Sequence, residues 1–231
     1  MMTYPIDIAG MKRDLPICRV TDDLYIGAFV IFGDVELTIH CAKELLSRAP
    51  EYDYLIAPEA KAIPLLYEMA RQSNADKYFL ARKKAKAYMS GVFEVNVQSI
   101  TTAGVQTLVL DTEDAAMMRG KRMLLLDDVI STGESLHALE ELVNKAGGEI
   151  VGRMSILAEG EAKDRDDIIY LAKTNSKNKL RKLDENRNKY RYEHHTNSLV
   201  HVVEKSPKRN KHPNIVENFD SQSLVGKELL V

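Results

Sequence analysis

Tryptophan is absent from this 231-residue chain, and cysteine occurs only twice, at Cys18 and Cys41. Two thiols so placed fit neither a disulfide framework nor a zinc site, so reduced cysteines in a cytoplasm are the expectation. No apolar run approaches the roughly 20 residues that cross a bilayer, so no membrane helix is expected. Met1 to Arg19 carries charges at Asp7, Lys12, Arg13 and Asp14 and has no continuous apolar core, so it does not read as a secretory signal. Twelve glycines and seven prolines, with 45% hydrophobic residues, exclude a collagenous or wholly disordered chain. A chain this long buries roughly two thirds of its surface or more and folds without staples.

The last absence is local. Twenty alanines precede residue 173 and none follow it, while asparagine rises from 3 to 8. Residues 1–173 carry 20 Lys/Arg against 27 Asp/Glu, and residues 174–231 carry 12 against 7. The net charge of −2 therefore hides an acidic body and a basic tail. This divides the chain into a body, 1–173, and a Lys/Asn-rich C-terminal extension, 174–231. The extension is expected to be partly disordered, with Leu199 to Val203 as a possible strand. It shows no helix-turn-helix pattern and only a modest excess charge, so no nucleic-acid partner is expected.

The body alternates strand-like and helix-like segments, the mark of an α/β fold with an open, mainly parallel twisted sheet flanked by helices. Apolar residues at helical spacing predict helices over Glu36 to Arg48, Ile63 to Gln72 and Glu134 to Ala146. Pro64 is tolerated in the first turn of the second, and Gly147-Gly148 ends the third. Strands are expected at Tyr52 to Ala57, Lys77 to Ala81, Arg122 to Asp128 and Glu149 to Leu157, with a last edge strand at Asp167 to Leu171. Arg82 to Val105 reads as an extended excursion or hairpin.

One string carries chemistry. Met123-Leu124-Leu125-Leu126 leads into Asp127-Asp128-Val129-Ile130 and then Ser131-Thr132-Gly133-Glu134-Ser135. An apolar strand thus delivers two acids to its C-terminal end, where ligands bind in open α/β sheets. The hydroxyl-rich turn opens a helix, so Ser131, Thr132 and Ser135 can join backbone N–H groups around one phosphate. Gly133 permits close approach or a positive φ. The acids repel phosphate and suit sugar hydroxyls, a cation or a developing positive charge. Upstream, Glu59-Ala60-Lys61 sits between a strand and a helix, where its amides can meet a second anion. Arg82, Lys83, Lys84 and Lys86 place four cations within five residues, which favours a polyanionic ligand over a merely solvated face.

The string resembles the phosphoribosyl-pyrophosphate signature of type I phosphoribosyltransferases. Ala57 to Ala62 resembles that family's pyrophosphate loop, with Ala62 where related chains commonly have glycine. Tyr78 to Lys83 resembles the strand whose terminal Arg-Lys meets pyrophosphate, and the likeness covers about residues 24–171. It implies a Mg²⁺-dependent transfer of phosphoribose from 5-phosphoribosyl 1-pyrophosphate to a free nucleobase, in a homodimer. The implied catalytic residues are Asp127, Asp128, Arg82 and Lys86, and both aspartates would hold the metal through water. Ser131, Thr132, Gly133, Glu134 and Ser135 would bind the 5′-phosphate, and Glu59, Ala60, Lys61, Arg82 and Lys83 the pyrophosphate. Phe29, in a hood formed by Tyr25 to Val30, is either a stacking partner for the base or simply core.

Ser131 stands where hypoxanthine-guanine enzymes carry an acid, which disfavours that subclass. The Glu-Ala-Lys loop and Ala158-Glu159-Gly160 resemble adenine or xanthine enzymes, with adenine preferred. Orotate enzymes share the Asp-Asp-Val-Ile-Ser/Thr-Thr-Gly string and stay open as the alternative. So does a regulator that binds the phosphoribosyl donor without turning it over.

Overall fold

The computed structural model describes residues 3–19, 25–98, 105–174, 180–184 and 189–192. Its centre is a five-stranded sheet, all parallel, in the order β10-β9-β8-β4-β5. The strands are β4 (Tyr54–Pro58), β5 (Phe79–Ala81), β8 (Arg122–Ile130), β9 (Glu149–Glu159) and β10 (Ile169–Thr174). Alternation along β4 and β8 sends Leu55, Ala57, Leu124 and Leu126 to one face and Ile56, Met123 and Leu125 to the other. Both faces are dry, as a parallel sheet between helices requires.

Helices α1 (Val35–Leu46) and α2 (Ile63–Gln72) cover the first face, and α4 (Glu134–Ala146) covers the second. Asp34 caps α1 by accepting from the Leu37 N–H at 3.1 Å. Pro64 sits in the first turn of α2. Gly147, at φ 83°, ends α4 in the left-handed conformation that glycine adopts without penalty. The short helix α3 (Thr112–Met117) precedes β8. The predicted second and third helices match these bounds, while the first begins and ends slightly earlier than expected.

The acid-bearing strand departs from expectation. It runs past Asp128 because Val129 and Ile130 continue to pair with Leu157 and Ala158 of β9. Pairing likewise carries β9 to Glu159 and shifts the edge strand from Asp167–Leu171 to Ile169–Thr174. Strands β4 and β5 start two residues later than the sequence suggested.

Two antiparallel units flank the sheet. At the N-terminus, β1 (Thr3–Ile8), β2 (Met11–Arg19) and β3 (Tyr25–Gly27) form a meander that buries Ile6, Ile8 and Leu15 in the main core. Arg13 ties it to α1 through Asp34 (Nε–Oδ2 2.6 Å) and Glu36 (2.9 Å). The expected excursion is a hairpin of β6 (Val92–Gln98) and β7 (Val105–Asp111). Arg82 and Val109 exchange backbone hydrogen bonds of 2.8 and 2.7 Å, stitching β7 to the end of β5. Beyond β10, β11 (Leu180–Asp184) and β12 (Lys189–Tyr192) pair with each other. The possible strand at Leu199 to Val203 lies outside the described residues. No helix among the described residues is long and apolar enough to cross a membrane.

Candidate active site

The C-terminal ends of the parallel strands open onto a cavity of about 830 Å³. Its walls draw on the loop after β4 (Glu59, Ala60, Lys61), the residues after β5 (Lys83, Lys84) and β8 with its turn (Asp127, Asp128, Ser131, Ser135). Glu159 closes the end of β9. Residues 26–30 of the hood and residues 105–108 of β7 complete it. Fold topology thus gathers segments as far apart in sequence as Ile26 and Glu159 into one site.

The two aspartates are its most unusual feature. Asp127 and Asp128 are 9% and 5% exposed, close together and short of partners. The Asp128 N–H donates to Asp127 Oδ1 at 2.8 Å. Asp128 Oδ2 is buried without a hydrogen bond, and the nearest cation, Lys61 Nζ, lies 3.8 Å away. Burial, and then the neighbouring Asp128 charge, push the Asp127 carboxyl up to about 8, with Lys61 pulling the other way. An orphaned carboxylate oxygen facing a cavity is an unfilled valence for a cation or a hydroxyl donor.

Mg²⁺ fits this donor set only in a particular way. No cluster of three or more His, Cys, Asp or Glu poised for a metal occurs among the described residues. Two adjacent carboxylates suit an ion that keeps its waters and takes most of its ligands from substrate phosphates, as Mg²⁺ does.

The turn after β8 brings Ser131 and Ser135 to the cavity wall, whereas Thr132, Gly133 and Glu134 lie outside that wall. Gly133 has φ 80° and is the N-cap of α4, with no side-chain hydrogen bond capping the helix. A Cβ on it would lie 3.3 Å from Arg165 Nη1. Arg165 is itself held in a fork by Asp167, with Nε–Oδ1 at 2.8 Å and Nη2–Oδ2 at 2.6 Å.

The cationic stretch divides. Lys83 and Lys84 face the cavity, but the Arg82 guanidinium turns to Glu59, with Nε–Oε2 at 3.0 Å. Glu59 Oε2 also accepts from the Lys83 N–H at 3.3 Å. The predicted pyrophosphate residues therefore lock onto one another, fixing the loop after β4 to the end of β5. Lys86 sits in a turn, its carbonyl accepting from the Met89 N–H at 3.1 Å, and does not reach the wall. Ala62 adopts φ −73°, an ordinary helical value, so the backbone there does not require glycine. Phe29 is 6% exposed within the core and also lines the cavity.

Sequence reasoning missed Gln106, Thr107 and Glu159 as wall residues. The β-alternation of the hairpin and the position of Glu159 after an apolar strand were the available signals.

A doubly covered parallel sheet with a cavity at the strand C-termini defines an open α/β domain. The phosphoribosyl transferase domain model matches residues 37–184, well over half of the chain, and the chain belongs to that family. It is 32% identical over 130 residues to an adenine phosphoribosyltransferase of Kosmotoga olearia, covering 54% of this chain and 69% of that one. A second adenine phosphoribosyltransferase, from Thermosipho africanus, is 28% identical over 157 residues, covering 67% and 88%. An orotate phosphoribosyltransferase of Caldanaerobacter subterraneus is 27% identical over 143 residues, covering 61% and 64%. The fold matches the crystal structure of adenine phosphoribosyltransferase from Thermoanaerobacter pseudethanolicus with a TM-score of 0.54. That match has 20% identity and covers 75% of this chain and 96% of the other.

Proposed function

We propose that this chain transfers phosphoribose from 5-phosphoribosyl 1-pyrophosphate to a free purine base, adenine first, releasing pyrophosphate. The observation that carries the reading is the under-partnered pair Asp127 and Asp128, set between a hydroxyl-bearing turn and a Lys-bearing loop in one cavity. The turn at Ser131 and Ser135 takes the 5′-phosphate, through hydroxyls and the N-terminal amides of α4. Lys61, Lys83 and the loop they flank take the pyrophosphate. Asp127 and Asp128 accept from the ribose hydroxyls and counter the positive charge that grows at C1 as the bond to pyrophosphate breaks.

A base nitrogen then forms the new bond to C1, the departing electron pair stays on pyrophosphate, and the base loses the proton that nitrogen carried. Mg²⁺, held by the donor and through water by the two aspartates, would neutralise charge on the diphosphate. The hood and the β7 wall exclude water, which would otherwise hydrolyse the sugar. A homodimer working in the cytoplasm, with residues 1–173 as the catalytic body, completes the proposal. Of the two relatives named adenine enzymes and the one named an orotate enzyme, the first two favour adenine.

Pyrophosphate release from 5-phosphoribosyl 1-pyrophosphate and Mg²⁺ against adenine, xanthine, hypoxanthine and orotate tests this. Fastest release with adenine supports the proposal, fastest release with orotate replaces it, and donor binding without release from any base makes the chain a sensor.

A further inference from the structure

The order of the strands sorts the cavity by charge. From β5 through β4 and β8 to β9, the rim passes from Lys83 and Lys84, through Lys61 and a Glu59 already paired with Arg82, then Asp127 and Asp128, to Glu159. The N-terminal sheet touches β10 through β1, and residues 26–30, at and after β3, give the cavity an apolar wall. The sugar donor with its pyrophosphate fills the cationic and central parts on the reading above. The remaining space belongs to the base, and its one charged side chain is Glu159.

Glu159 is held in place. Thr174, 5% exposed, pairs with it in register across β9 and β10 and donates its hydroxyl to Glu159 Oε1 at 2.6 Å. Oε2 has no protein donor among the described residues, and Glu159 lines the cavity. One oxygen thus anchors the side chain and the other is left as a hydrogen-bond acceptor.

We propose that Glu159 selects the base: Oε2 accepts an N–H from a neutral base, and its charge turns away an anionic one. The inference rests on the phosphoribosyl-transfer reading. An amino group such as that of adenine supplies the donor the carboxylate lacks, a charge-assisted bond strengthened by apolar surroundings. The carboxylate of orotate would instead meet the like charge of Glu159, and like charges brought together cost affinity and suppress the wrong partner. Selection therefore comes from one built attraction and one built repulsion.

The test is calorimetric titration of the full chain and its variants with adenosine 5′-monophosphate, orotidine 5′-monophosphate and ribose 5-phosphate. The wild type should prefer the adenine nucleotide to the orotate nucleotide by roughly tenfold or more. Glu159→Gln keeps an oxygen for Thr174 but turns an N–H toward the base, opposing donor to donor. It should weaken adenosine 5′-monophosphate by about tenfold or more and leave ribose 5-phosphate within twofold of wild type. Thr174→Val, which frees the carboxylate without removing it, should weaken the adenine nucleotide alone and by less. It also provides the answer if Glu159→Gln does not fold. Equal affinity of the wild type for the two nucleotides, or unchanged adenine-nucleotide affinity in a variant that still binds ribose 5-phosphate, overturns the inference. Failure of ribose 5-phosphate to bind the wild type overturns the transferase reading itself, and the inference with it.

Discussion

The two flanks of the cavity handle charge in opposite ways. On the β4–β5 flank the charges are paired or exposed: Arg82 meets Glu59 at 3.0 Å, and Lys61 keeps 57% of its side chain in solvent. On β8 two carboxylates are buried side by side, and one oxygen has no partner. The first flank costs the free protein little. The second buries two acids side by side, so holding both charged is unfavourable until a ligand brings hydroxyls and cations, and the Asp127 carboxyl is raised to about 8. Burying the acid pair works against the free fold, whereas the paired and exposed charges of the β4–β5 flank do not, so removing charge should have opposite consequences for stability and function on the acidic flank alone.

The sharpest way to break this contrast is Asp128→Asn. Turnover should fall by about two orders of magnitude or more, as when a preorganised electrostatic group is lost, while the melting temperature of the free protein holds or rises. A parallel fall in melting temperature, with normal specific activity in the folded fraction, would make the pair structural. Next is Gly133→Val, which forces a β-branched residue to φ 80° and sets its Cβ against Arg165. Donor affinity should drop by roughly tenfold or more through lost backbone approach to phosphate, and titration with ribose 5-phosphate reads it directly. On the cationic flank, Lys61→Ala should weaken pyrophosphate only several-fold, in the range of an exposed charge contact, with no loss of stability. The smallest effect lies away from the cavity. Asp34→Ala removes the cap of α1 and the partner of Arg13, costing about 1 kcal/mol in denaturant unfolding with turnover intact.

The acid pair also sets a pH dependence. Because the Asp127 carboxyl is raised in the folded protein to about 8, the folded state binds more protons than the unfolded state between about pH 4 and 8. Its stabilising contribution is complete below the unfolded pKa and is lost as pH rises through the folded value. The free protein should therefore lose melting temperature over that interval, and Asp127→Asn should flatten the slope.

The sequence exposed the central sheet because its strands are buried on both faces and appear as uninterrupted apolar runs such as Met123 to Leu126. Helices α2 and α4 were legible to the residue because proline and glycine mark their ends. The N-terminal strands were missed, since Pro5 and Pro16 interrupt them and alternating charges mask Ile6, Ile8 and Leu15. Strand ends were misplaced where pairing with a neighbour, invisible in one chain segment, carried β8 to Ile130. Within the site, residues clustered in sequence were found readily. Which of them turn inward was not: Arg82 and Lys86 look alike in a basic run, but a carboxylate 23 residues upstream draws Arg82 aside. Glu159 was quoted only as part of a family likeness, because its importance depends on Thr174 and on the order of strands.

Burial beside Asp128 raises the Asp127 carboxyl to about 8, so that it waits protonated at neutral pH for charge supplied by the ligand. Calorimetric titration of Mg²⁺ and 5-phosphoribosyl 1-pyrophosphate into the full chain at pH 7, in buffers of different ionisation enthalpy, measures the protons exchanged on binding. The account predicts release of about one proton per site from the wild type, beyond any from the ligand itself, and loss of that release in Asp127→Asn. Identical proton exchange in the two proteins would contradict it.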